Sequence, residues 1–145
     1  MQPIRTRLPT LISKPTSKEF QKMPIIVCNT RAGLDVDIKR KIAKAITIAV
    51  HETIKSPLDI ISVVFNDLAS ESSYVGGEPG GDTLIMCNIR AGRSDDAKLT
   101  LVSKVSAIFS DYAGISEDRI ETGLLEFNPK FIIRGGRHLP DPPYA

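Results

Sequence analysis

Few side chains in this 145-residue sequence are of a type and spacing that could do chemistry. Arg90 and Arg93 are three residues apart in Arg90-Ala91-Gly92-Arg93-Ser94. A guanidinium fork matches planar anions such as carboxylates, while the plainer reading of such a pair is a solvated turn. His51 falls on a helical wheel with Arg40, Lys44 and Thr47, away from the apolar stripe, so it is no core histidine, and residue type alone leaves a plain surface histidine open. Cys28 and Cys87 occupy matching places in two expected buried strands and read as reduced core thiols without a catalytic role. The run from Tyr74 to Thr83 is rich in glycine and reads as a loop or hairpin with positive φ angles. It lacks the strand-loop-helix setting of a phosphate loop, so nucleotide binding is discounted.

The composition frames these residues. Hydrophobic content of 41% with 25% charged residues is that of one globular domain. A net charge of +2 is too small to argue for nucleic acid or an anionic membrane, and neither partner is expected. No apolar run approaches the ~20 residues that cross a bilayer, and no secretory signal is evident, so a cytoplasmic location is expected. Residues 1–23 stand apart as a flexible basic extension, with Arg5, Arg7, Lys14, Lys18 and Lys22 set among Pro, Ser and Thr. That composition resembles an organelle transit peptide, which would make the location organellar, but Pro3, Pro9 and Pro15 interrupt the amphipathic helix such peptides form.

The elements that must position these groups come from an internal repeat. A shift of 59 residues lays Ile26-Val27-Cys28-Asn29-Thr30-Arg31-Ala32-Gly33 on Ile85-Met86-Cys87-Asn88-Ile89-Arg90-Ala91-Gly92, and seven of the twelve positions from 28 to 39 are identical. Each copy, about 24–68 and 83–127, runs from an apolar strand (Ile25–Asn29, Leu84–Asn88) through an Arg-Ala-Gly turn to an acidic helix start. Apolar stripes follow at helical spacing: Ile38, Ile42, Ala45, Ile46, Ala49 and Thr53 in one copy, Ala97, Leu101, Val105, Ile108 and Tyr112 in the other. Second strands are expected over Ile60–Asn66 and Ile120–Phe127. Two β-α-β units give an α/β (α+β) fold, a four-stranded mixed sheet with both helices on one face. Strands apolar on both sides leave the other face to pack on further subunits or on the segment 128–145. Arg90 repeats as Arg31, which makes it partly structural, whereas Arg93 has Leu34 at its place and the stronger claim to a purely functional role.

A tandem β-α-β pair whose first strand opens Met23-Pro24-Ile25-Ile26-Val27 resembles the tautomerase superfamily. Gly76-Gly77, Gly80-Gly81-Asp82-Thr83, Arg90 to Ser94 and Gly136-Arg137-His138-Leu139-Pro140 resemble its cis-3-chloroacrylic acid dehalogenase-like branch, over about residues 24–140. The resemblance implies a homotrimer and a cofactor-free, metal-free tautomerase in which the amine of an N-terminal proline is the general base. Pro24 matches that residue. Arg90 and Arg93 match a carboxylate-binding pair that also lowers the amine pKa, and His51 matches a further contact to the carboxylate of a small acid substrate.

Two positions depart from the branch. Its dehalogenases activate water with a tyrosine and a carboxylate, and Gly123 and Arg134 stand at those places. Hydrolytic dehalogenation is therefore not expected, while Arg134 with Arg137 suits a second anionic group. Proton transfer α to a carbonyl needs only Pro24 and an anchor for the carboxylate. The extension is the remaining departure: with residues 1–23 attached, the Pro24 nitrogen is an amide without usable basicity. Translation from Met23 with removal of the methionine would expose it; otherwise the fold persists as a non-catalytic module that binds an anion.

Overall fold

The fold, taken from a computed structural model, is described for residues 23–138. The expected extension up to Lys22 and the stretch from Leu139 onward lie outside the described residues. The elements are β1 (Ile25–Thr30), α1 (Val36–Ile54), β2 (Ser62–Asp67), β3 (Tyr74–Val75), β4 (Glu78–Pro79), β5 (Thr83–Arg90), α2 (Asp95–Ala113), β6 (Ile120–Phe127), β7 (Ile133–Arg134) and β8 (Arg137–His138). Among the described residues no helix is long and apolar enough to cross a membrane.

Both helices start at a polar capping side chain followed by acidic residues in the first turn. Asp35 accepts a hydrogen bond from the Ile38 amide and Ser94 accepts one from the Ala97 amide, at 2.8 and 3.2 Å. They stop at repeat-related positions in the left-handed conformation, at Lys55 (φ 59°) and Gly114 (φ 68°). Glycine adopts that conformation freely and lysine at a cost, so the first copy carries strain that the second does not.

One mixed sheet runs in the order β2-β1-β5-β6. The pairs β1·β2 and β5·β6 are parallel and the central β1·β5 pair is antiparallel. Val27 faces Met86 across that centre, and these two are repeat mates, so the axis relating the copies passes between them. Alternation sends Ile26, Cys28, Ile85, Cys87 and Ile89 to the helical side. There they form one core with Ile42, Ile46, Val50 and Ile54 of α1 and Leu101, Val105 and Phe109 of α2. The expected architecture is present in full.

Details of the stripes differ from expectation. Val50, Ile54 and Phe109 are buried, while Tyr112 is 43% exposed and Thr53 turns its hydroxyl back to the Ala49 carbonyl. The second strand starts at Ser62, because Leu58–Ile60 close a 3-10 turn after Pro57. On the helix-free face Val64, Leu84, Leu125 and Phe127 are 36–48% exposed. That is an apolar surface of the kind that packs on another molecule.

The repeat reaches further than the strands and helices. β3 and β4 pair through Gly76 (φ 59°) and Gly77 (φ 84°), and β7 and β8, 59 residues on, pair through Gly135 (φ 58°) and Gly136 (φ 78°). Two successive positive φ angles make a tight hairpin turn that suits glycine at both places. The expected turn at 74–83 is this hairpin.

Candidate active site at the start of the first strand

Proline suits the residue before a strand because it has no amide hydrogen to offer the ladder. Pro24 sits there, buried, and its carbonyl accepts a 3.0 Å hydrogen bond from the Ser62 amide. The antiparallel register sets Ile25 against Asn88, so the start of β1 lies beside the end of β5, where Arg90 is the last residue. The register therefore brings Pro24 and the arginine turn, far apart in the chain, to one end of the sheet.

The two arginines are built into the protein. Arg90 is 1% exposed and Arg93 7%. Nη1 of Arg93 donates to the Arg90 carbonyl at 3.0 Å and Nη2 to the Ser56 hydroxyl at 3.4 Å, while its Nε, also buried, has no hydrogen-bond partner among the described residues. Burial, and then repulsion from Arg90, lowers the Arg93 pKa to about 10, with Glu126 opposing. An anion placed here would gain from both cations and satisfy the orphaned donor, whose isolation costs about 1–3 kcal/mol. At the repeat mate of Arg90, Arg31 Nη1 donates to the Gly81 carbonyl at 3.3 Å.

His51 stands in the last turn of α1, exposed, with Nδ1 2.7 Å from the carbonyl oxygen of Ser56. A carbonyl only accepts, so Nδ1 carries the hydrogen and Nε2 is left for a ligand. Ser56 is 1% exposed and joins the two groups, its carbonyl to His51 and its hydroxyl to Arg93. Ser56 is not among the residues singled out from the sequence; its cue is a small polar residue before Pro57 at a place where the second copy has Ile115.

The other candidates are placed differently. Arg134 and Arg137 face each other across β7 and β8, exposed, on a hairpin separate from the four-stranded sheet. Gly123 lies in β6 opposite Met86, whose methyl group is 3.4 Å from where a Cβ would stand. As expected, Cys28 and Cys87 are buried in the two central strands; they are free thiols pushed up to about 12 by burial.

The family model for tautomerase enzymes matches residues 24–83, the first copy and the loop leading into the second. Among solved structures, N1, a member of the cis-3-chloroacrylic acid dehalogenase family, superposes with a TM-score of 0.76 at 22% identity, covering 83% of this chain and 86% of that one. Native fused 4-OT superposes with a TM-score of 0.74 at 20% identity, covering 79% and 95%. A fused 4-OT described as an asymmetric trimer gives 0.74 at 18%, again covering 79% and 95%. A search of curated proteins by sequence found no match. The first copy thus matches the tautomerase family model, and both copies together form the fold of these solved structures.

Proposed function

We propose that this protein is a cofactor-free tautomerase that moves a proton α to the carbonyl of a small enol or 2-oxo carboxylic acid, with Pro24 as general base. The observation that carries the reading is the buried Arg93 beside Arg90, with an Nε donor that has no partner among the described residues, at the sheet end where β1 begins. Arg90, Arg93 and His51 hold the substrate carboxylate. The Pro24 nitrogen takes the enol proton and returns it to the neighbouring carbon, so the reaction is an isomerisation without redox change. Buried cations disfavour the charged amine and keep it basic in its neutral form. The apolar helix-free face of the sheet and the trimeric neighbour favour a homotrimer assembled through that face.

This chemistry requires Pro24 to be the first residue. In the form beginning at Pro24, ketonisation of phenylenolpyruvate is expected, and Pro24→Ala lowers its rate by about 10²-fold or more, the usual worth of a positioned general base. Equal rates for the two forms would sink the proposal.

The burial of Met23, 7% exposed, favours a second reading of the chain that keeps its extension. There the Pro24 nitrogen is a tertiary amide, and the same cluster binds a carboxylate without turning it over. The intact mass of the protein from its native cell decides which form exists.

A further inference from the structure

We infer that Ser56 is a positioning residue that sets the geometry of the carboxylate anchor, fixing the His51 tautomer with its carbonyl and the Arg93 fork with its hydroxyl. The inference deepens the proposed function and rests on its assignment of Arg93 and His51 to the substrate carboxylate.

The repeat supplies an internal control. At the places of His51 and Ser56 the second copy has Ser110 and Ile115, and the Ser110 hydroxyl donates to the Ile115 carbonyl at 2.5 Å. A bond from the last helical turn to the carbonyl five residues on is thus a device common to both copies for ending the helix. Only in the first copy is the donor an imidazole, whose second nitrogen remains available when the first is used.

The side chains diverge in the same coordinated way. Ser56 of the first copy meets Arg93 of the second. Their repeat mates at the opposite end of the sheet are Ile115 and Leu34, both half-buried and packed against the apolar core. A fold that closes one end with Leu34 and Ile115 has no packing need for a charge and a hydroxyl at the other. Burying a guanidinium lowers stability unless it is paired, and its Nε has no partner among the described residues. The polar pair therefore fits recognition of an anion better than support of the core. With Nη1 on the Arg90 carbonyl and Nη2 on the Ser56 hydroxyl, the guanidinium plane is held from two sides and Nε is aimed by that restraint. Lys55, in the left-handed conformation, turns the chain so that the buried Ser56 follows directly on α1.

The test uses the full 145-residue chain and needs no turnover: calorimetric titration with phenylpyruvate, a 2-oxo acid, and 15N chemical shifts of the His51 ring. The expected results are a ring with Nδ1 protonated, and for Ser56→Ala an approximately tenfold weaker Kd with the His51 tautomer unchanged, since the carbonyl remains. Ser56→Thr restores the hydroxyl and recovers affinity. The double variant Ser56→Ile with Arg93→Leu copies the opposite end; it melts no lower than the parent and no longer binds phenylpyruvate. An unchanged Kd in Ser56→Ala, an Nε2–H tautomer in the parent, or a parent that does not bind phenylpyruvate overturns the inference. Binding with these properties but no turnover in the form starting at Pro24 leaves it standing and removes only the assignment of Pro24 as base.

Discussion

The two ends of the central β1·β5 pair are related by the repeat, yet they are finished in opposite ways. At one end, beside the buried Pro24, the buried Arg90, Arg93 and Ser56 and the exposed His51 are joined by hydrogen bonds. At the other, the mates of Pro24 and Ser56 are Thr83 and Ile115, the Thr83 hydroxyl bonds Thr30 at 2.9 Å, and Asp82 pairs with Arg119 at the surface. Elsewhere the copies agree closely. Asn29 Nδ2 donates to the Leu84 carbonyl and its mate Asn88 donates to the Ile25 carbonyl, at 3.2 and 3.1 Å. Lys39 pairs with Asp67 as Lys98 pairs with Glu126. The copies share the bonds that hold strand to strand and helix to sheet and diverge at one end.

The comparison can be broken most severely at Pro24. The form retaining residues 1–23 is expected to ketonise phenylenolpyruvate at the background rate, about 10²-fold or more below the form starting at Pro24. Stopped assays on both forms at equal protein concentration measure it. Next in size is the exchange of the two ends one residue at a time. Leu34→Arg puts an unpaired charge into an apolar site and should cost about 3–5 kcal/mol in urea unfolding. Arg93→Leu should leave stability unchanged or higher while abolishing carboxylate binding. If Leu34→Arg is tolerated as easily as Arg93→Leu, the two ends do not differ in the way described.

The titrating groups give a third measure. Carboxylate affinity should fall as pH rises through about 10, where Arg93 loses its proton and with it the attraction for an anion. The thiols act on stability instead. Their folded pKa of about 12 lies above the unfolded value of 9.0, so their contribution is complete below pH 9 and is lost as pH rises towards 12. The slope is about 1.4 kcal/mol per pH unit for each thiol, and it should vanish in Cys28→Ser with Cys87→Ser. The smallest effect sharpens the comparison of the helix ends: Lys55→Gly, matching Gly114, should stabilise by about 0.5–1 kcal/mol in thermal melts.

Much of this was legible in the residues. The identical positions from Cys28 to Lys39 and their mates exposed the duplication, and acidic helix starts with 3.6-residue stripes placed both helices, because capping and amphipathicity act within a few residues of chain. The stripes were less secure at their ends: Tyr112 and Thr53 keep helical spacing, but the helix meets the sheet over Val50, Ile54 and Phe109 instead. Ser56 escaped notice because nothing local marks a serine before proline as the partner of an arginine 37 residues away.

What the sequence by itself determined, then, is the repeat and its alternation of strands and helices, since periodicity and caps are written in neighbouring residues. What only the tertiary structure decided is which residues meet around Arg93. The antiparallel register of β1 on β5 sets Pro24 beside the end of β5 that carries Arg90, and the end of α1 places Ser56 between Arg93 and His51.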